Sequence, residues 1–511
     1  MGEVQQAAPP QATPPLPSPP PAKALNPLQR IFRNSAAPIV AQLVNRAMDL
    51  AFAWVLFRLL GATGNGAYEF AVQIWLYLKT FTDFGLGVLA TRDVARRPDL
   101  AGEYLGLTTI LRLVLWATAL PLVLVFAFAN WRWLGSSGAS TIALLLLVAS
   151  IVPDSWSDAA NAICNAREEM VRPAILAVAK NVVKTALGLA FLLSGWDVIG
   201  LALTALITNI VAAALFARLL RGLRVRAVWR RPGPDARRLL GEAWPLLLNN
   251  LLAGLFFSFD TVVLKSSQGE AALGIYRAPY KLLNMLLLLP QYGTLALFPH
   301  LSRLAAERSA AFAETYALAI KLLLTLALPI CVATTFVAPD LIWVLAGSEF
   351  LPDGGTALRL LIWFLPLSYV NGLTQYVLIA AGMQRAITPA FGLTFAFNLG
   401  ANLIFTPRYG FVSASLITVL SEVVLIVPFL WFLRRRMVTL PAPGIALRPL
   451  AAAAAMGLLG WLIVRALGGS GVAPWAAALV GGAVYCAVLV LIGGIGATER
   501  RLALRLLGRA V

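Results

Sequence analysis

The sequence predicts an all-α polytopic membrane protein of about 14 transmembrane helices, arranged as two six-helix lobes in parallel pseudo-repeat plus two C-terminal helices. Three observations carry this prediction. Apolar stretches of about 20 to 27 residues, each long enough to cross a bilayer, follow one another from Ala36 to Gly494 with short loops between them. Hydrophobic residues make up 59 % of the 511 and mean hydropathy is +0.80, against the roughly 45–50 % apolar content of a soluble domain. Lys and Arg fall in alternate loops, about 27 on one side and about 4 on the other (Arg132, Lys265, Arg408, Arg465). The positive-inside rule then puts both termini in the cytoplasm, and the cell (inner/plasma) membrane is the expected location.

Residues 1–30 are rich in Pro and Ala, lack the apolar run of a signal peptide, and read as a disordered cytoplasmic tail. An N-terminal lobe, 31–220, holds spans near 36–60, 65–90, 104–129, 138–163, 172–194 and 197–220, with Arg92, Arg96 and Arg97 after the second and Arg167 and Arg172 after the fourth. The basic connection 221–240, with Arg-Arg-Pro-Gly-Pro at 230–234, reads as a cytoplasmic hinge. A C-terminal lobe, 241–436, holds spans near 241–265, 271–298, 312–338, 354–382, 386–406 and 411–433. Residues 437–511 hold spans near 446–467 and 473–495 and a basic cytoplasmic tail. Their Ala451–Ala455 run and Gly481-Gly482 suit either close helix packing or a lipid groove. A shift of about 208 residues lays the first six spans on the next six, with Gly66-Ala67-Tyr68 falling on Gly274-Ile275-Tyr276. Two such units related by an axis along the membrane normal leave a cleft between them, the default place for a substrate.

Charges buried in the spans indicate what that cleft holds, because an ionisable group at depth costs several kcal/mol unless it faces a polar cavity or a partner. At about 1.5 Å per residue from the cytoplasmic ends, Arg46 lies about 15 Å deep, Arg112 about 12 Å, Lys180 about 10 Å, Lys184 about 16 Å and Lys321 about 13 Å. Lys281 reaches the midplane and Lys79 lies about two-thirds of the way across. Spacing pairs Arg46 with Asp49 and Lys79 with Asp83 on single helix faces, and similar depth pairs Asp260 with Arg277 across two helices. Lys180 with Lys184, and Arg277 with Lys281, are like-charged pairs four residues apart that call for a countercharge, which an anionic substrate would supply. Arg46, Arg112, Lys180, Lys184, Arg277, Lys281 and Lys321 are therefore the candidate cationic lumen, and Asp49, Asp260 and Glu422 the candidates for ion coupling or charge pairing. Near span ends, Lys79, Lys265 and Arg359 are expected to snorkel, Asp83, Asp154 and Asp158 to cap or anchor loops, and His300 to sit at the interface.

Other chemistries are poorly matched. A net charge of +18 raises nucleic acid as a partner, but the basic residues stand where topology requires them and anionic lipid headgroups suffice. Cys164, Cys331 and Cys486 are widely spaced and read as small core residues, so no disulfide, metal site or cofactor is expected. The longest outer loop, 338–355, holds Asp340, Glu349 and Asp353 without a nucleophile and base, so no catalytic residue is assigned.

Phe81-Thr82-Asp83-Phe84-Gly85-Leu86-Gly87, followed by Thr91 to Arg96, resembles the end of the second span in polysaccharide flippases of the multidrug/oligosaccharidyl-lipid/polysaccharide (MOP) exporter superfamily. Phe257 to Leu264 with Asp260, Leu273 to Tyr276, Ala278 to Leu282 and Ala296 to Leu304 are similar to the same family in the second half. The resemblance covers the spanning region in order. It implies a flippase carrying a polyprenyl-pyrophosphate-linked oligosaccharide through an alternating V-shaped cleft lined by cations, with proton or sodium coupling and a glycan polymerase partner left open. Only Asp260 and Tyr280-Lys281 fall on motif text, so the remaining cations rest on depth alone. The alternatives are a multidrug or cation antiporter of the same superfamily, which would prefer an acidic site, and a membrane glycan polymerase or ligase.

Overall fold

The structure, a computed structural model, describes residues 27–133, 137–229, 234–307, 311–436, 444–468 and 471–494. Among these it is helical throughout, with no strand. The N-terminal half runs α1 (Pro27–Asp83), α2 (Leu86–Arg96), α3 (Ala101–Trp133), α4 (Gly138–Ala166), α5 (Val171–Leu193) and α6 (Asp197–Gly222). The C-terminal half runs α7 (Pro234–Leu286), α8 (Leu288–Ala306), α9 (Ala311–Ala346), α10 (Asp353–Leu361), α11 (Phe364–Ala380) and α12 (Ile387–Arg436), and α13 (Gly444–Ala466) and α14 (Ala473–Leu491) follow. The expected tail begins its helix at Pro27, while 1–26, the connection 437–443 and the basic tail 495–511 lie outside the described residues.

Eleven helices are long and apolar enough to cross a membrane, or twelve if the bent pair at 258–306 is one span. This is fewer than the expected fourteen, and three helices of the fold, α1, α7 and α12, run on through a reversal. The 57 residues of α1 would extend about 86 Å, nearly three times the roughly 30 Å hydrocarbon core, so the chain has to turn back within them. It does so at Gly61 (φ 64°, ψ −172°), a conformation essentially confined to glycine. Helix α7 breaks likewise at Gly269 (φ 86°, ψ −178°) and α12 at Gly410 (φ 59°, ψ −142°). Gly61 and Gly269 stand 208 residues apart, the offset of the sequence repeat.

The molecule is turned inside out relative to a soluble protein. Leu122, Leu479 and Leu491 are more than 70 % exposed, whereas Glu69, Arg112, Asp154, Asp260 and Glu422 are buried. Only a hydrocarbon solvent makes that arrangement stable, and helices satisfy the backbone within it. The α1 and α7 helices pack along each other through Phe52, Phe57, Leu273 and Tyr276 in the main apolar core. A separate cluster of Leu328, Val332, Ala452, Met456, Tyr485 and Leu489 joins α13 and α14 to α9. Of the two roles open to the small residues of α13 and α14, close packing is realised: Ala452 is fully buried and Gly460 meets the Phe336 ring.

The connection after α6 is clamped for part of its length. Val228 donates its N–H to Gly102 O at 2.9 Å, and a Cβ on Gly102 or Gly106 would come within 2.4 Å or 2.2 Å of the Arg226 or Val228 carbonyl oxygen. Trp229 then stacks on Trp156 with centroids 5.9 Å apart.

Candidate functional site

The break at Gly61 lets α1 present residues from both of its arms to one central cavity of about 240 Å³. Arg46 and Asp49 come from the first arm, Tyr68 and Glu69 from the second, Lys184 from α5 and Lys281 from α7. Lys184 Nζ meets Asp49 Oδ1 at 2.9 Å and Lys281 Nζ meets Glu69 Oε1 at 2.6 Å. Behind Lys281, Arg277 Nε lies 3.6 Å from Glu69 Oε2, with its guanidinium 4.7 Å from the Tyr280 ring centre. Both like-charged pairs are thus compensated by protein carboxylates, where a substrate anion was expected. Arg46 has no carboxylate within ion-pairing distance among the described residues, so the lining cations Arg46, Lys184 and Lys281 outnumber Asp49 and Glu69 by one.

Of the seven candidate cations, these three share the cavity. Arg112 lines a second cavity, fully buried, with Nη2 2.7 Å from Asp83 Oδ1. Lys180 pairs with Asp154 at 3.1 Å, Arg277 is held behind Glu69, and Lys321 on α9 is not a lining residue of these cavities. The pairs read from helical spacing are replaced by pairs between helices. Asp49 takes Lys184, Asp83 takes Arg112, and Lys79 reaches Asp154 and, at 3.4 Å, Asp158. Residues three or four apart share a face at different heights, whereas a neighbouring helix offers a partner at the same height and away from lipid. Asp154 accordingly lies within α4 and bridges Lys79 and Lys180 instead of capping a loop.

Asp260 does not pair with Arg277. It accepts hydrogen bonds from Tyr276 Oη, from Tyr280 Oη at 3.4 Å and from Thr261 N at 2.7 Å. Glu422, also buried, accepts from Asn371 Nδ2 at 2.6 Å. Neither lines the central cavity. Lys265 does not snorkel: it is 2 % exposed, donates to Asn130 Oδ1 at 2.7 Å and lies over the Phe70 ring. His300 and Arg303 contact each other on the exposed surface, and Cys486 is exposed while Cys164 and Cys331 are buried.

The two halves touch on either side of the cavity. At the Gly61 end, Gly66 and Gly274 bring their helices into backbone contact: a Cβ on Gly66 would stand 1.7 Å from Glu270 O, and one on Gly274 1.9 Å from Ala62 O. Asn65 Nδ2 donates to Gly274 O at 3.3 Å, Ala62 N to Glu349 Oε1 at 2.8 Å and Arg58 to Val344 O at 3.1 Å. At the opposite end Arg92 meets Glu242 at 2.6 Å, Arg238 meets Asp93 at 3.6 Å, and Tyr292 donates to Gln42 at 2.8 Å. Glu69 and the Arg238 cluster escaped the sequence reading, as did the contact of the outer-loop Glu349 with the other half. Only Glu69 carried a usable signal, as a carboxylate eight residues past Gly61 and so about 12 Å into an apolar span.

Solved structures share this fold. A lipid II flippase, MurJ, in an inward closed conformation superposes with a TM-score of 0.70 at 16 % identity, covering 92 % of this chain and 99 % of that one. An inward-facing multidrug resistance MATE transporter of the MOP superfamily gives 0.66 at 19 % identity over 79 % and 97 %. A MOP superfamily transporter from Pyrococcus furiosus, described as having a binding pocket of reverse polarity, gives 0.59 at 20 % over 80 % and 95 %. No curated protein sequence matches the chain. The MatE family matches residues 245–405. The polysaccharide biosynthesis protein family matches residues 31–305, more than half of the 511, and with the fold of MOP superfamily transporters around its central cavity the chain belongs to that family.

Proposed function

We propose that the protein is a flippase that moves an anionic polyprenyl-pyrophosphate-linked oligosaccharide or polysaccharide repeat unit across the plasma membrane by alternating access. The observation that carries this reading is Arg46, a cation without a carboxylate partner among the described residues, in a cavity lined by both halves. A pyrophosphate meeting Arg46, Lys184 and Lys281 would form charge-assisted hydrogen bonds and draw the lysines from Asp49 and Glu69. That exchange loosens the tie between Glu69 on α1 and Lys281 on α7, giving substrate a differential hold on closed and open states. The proposed lobes are 31–220 and 241–436, joined by the basic segment 221–240, with both termini and the Arg238 end cytoplasmic. Proton or sodium coupling through Asp49, Asp260 or Glu422, and partnership with a glycan polymerase, belong to the same proposal, which assigns the protein no catalysis.

A multidrug antiporter is the second reading, favoured by the MatE match over 245–405 and by the two carboxylates in the cavity. The test is translocation of a fluorescent polyprenyl-pyrophosphate oligosaccharide in proteoliposomes, with wild type against Arg46→Ala, Lys184→Ala and Lys281→Ala. Wild-type transport that falls about tenfold or more in Arg46→Ala supports the flippase. A wild type inert to that lipid that expels an organic cation against a proton or sodium gradient establishes the antiporter instead.

A further inference from the structure

Two larger cavities continue in series from the central one. The first, about 600 Å³, shares Arg46 and Asp49 with it and adds Asn45, Asn161 and Asn165. The second, about 630 Å³, shares Thr91, Asn161 and Asn165 with the first and ends at Asn250 and the buried Arg112. Each falls in the roughly 300–1,000 Å³ range of small-molecule sites. Together they form one polar track from Lys281 past Arg46 to Arg112, built mainly by the N-terminal half.

The chemistry changes along the track. The central cavity has an excess cation, whereas the far cavity balances Lys79 and Arg112 against Asp83 and Asp158 and is lined instead by amides. The side chains of the half-buried Asn161 and Asn165 and of the exposed Asn250 have no hydrogen bond to protein among the described residues, and each faces the cavity as an open amide. Two buried atoms are also unpartnered: Asn45 Oδ1, an acceptor, and Arg112 Nη1, a donor, in a residue 1 % exposed. Leaving the two buried atoms unpaired is costly, and each cavity-lining amide offers a ligand two donors and an acceptor. A neutral polyol is the ligand class that pairs with both kinds of group without bringing charge.

We propose that this amide track is a carbohydrate subsite: the glycan of the lipid-linked substrate lies along Asn45, Asn161, Asn165 and Asn250 to Arg112, while its pyrophosphate sits at Arg46. The inference rests on the flippase reading and adds that the N-terminal half reads the sugar. Sites that hydrogen-bond a ligand discriminate against one lacking the group, because their own polar atoms are then left unpaired. The loss caused by removing the amides therefore grows with the length of glycan carried.

The test measures translocation in proteoliposomes of two polyprenyl-pyrophosphate lipids, one bearing a single hexose and one a tetrasaccharide, by wild type, Asn161→Leu/Asn165→Leu and Asn161→Gln/Asn165→Gln at matched protein levels. The Leu variant is expected to lose the tetrasaccharide lipid about tenfold or more while keeping the hexose lipid within about twofold, and the Gln variant to retain both. Equal loss of both lipids in the Leu variant, or no loss of either, overturns the subsite and leaves the flippase standing. A wild type that carries neither lipid overturns the flippase reading and the subsite with it.

Discussion

Replacing Gly66 by alanine probes the closure at the Gly61 end. The added methyl would stand 1.7 Å from Glu270 O, and ordinary contact begins at 3.4 Å, so the two backbones have to part by 1.7 Å. The obstacle is main chain on the opposite half, so no side-chain rotation relieves it. Overpacking of this kind costs about 1–3 kcal/mol, and 2 kcal/mol is roughly a thirtyfold shift between two states. On the alternating-access reading proposed above, that cost falls on the state in which the helices touch, so Gly66→Ala is expected to populate a form open at this end. Spin labels at Leu59→Cys and Ser266→Cys, in a background with the exposed Cys486 replaced by serine, report the separation by double electron–electron resonance. The distance distribution should gain a longer component in Gly66→Ala and again in Gly274→Ala, whose methyl meets Ala62 O at 1.9 Å. A distribution and thermal stability identical to those of the parent would refute the reasoning.

Two other substitutions have defined outcomes. Glu69→Gln leaves Arg277 and Lys281 facing each other without their shared carboxylate; with Lys281 one-third exposed, a loss of about 3 kcal/mol is expected at the low end for a broken buried pair, and Lys281→Ala should restore part of it in thermal unfolding in detergent. Glu349→Ala removes the acceptor that caps the helix restarting at Ala62, a change of about 0.5–2 kcal/mol that should speed hydrogen exchange of the amides at 62–65, and an unchanged exchange rate would count against the capping role.

The helical fold and the reversals were legible because hydrophobic length and glycine placement are local properties. Gly61 and Gly269 each follow an apolar run of one membrane thickness, and their 208-residue offset could be anticipated from the Gly-Ala-Tyr and Gly-Ile-Tyr matches. Arg46, Lys184 and Lys281 were found by depth, which survives any rotation of their helices. Partner choice was not legible, because it depends on which faces of distant helices meet. Asp49 stands 135 positions before Lys184 and Glu69 212 before Lys281, separations on which helical spacing is silent. The like-charged pairs consequently resembled an empty anion site when each already had a carboxylate from another helix.

The contact of residues 226–228 with Gly102 and Gly106 sets the length of leash between the halves. Because Trp229 is stacked on α4 through Trp156 and α7 starts at Pro234, the covalent slack amounts to five residue steps, at most about 18 Å fully extended. While Trp229 stays on Trp156, the start of α7 stays within that radius of α4, so on the flippase reading proposed above a wide opening of the Arg238 end, and the entry of a bulky headgroup, would come on the flank away from Trp156.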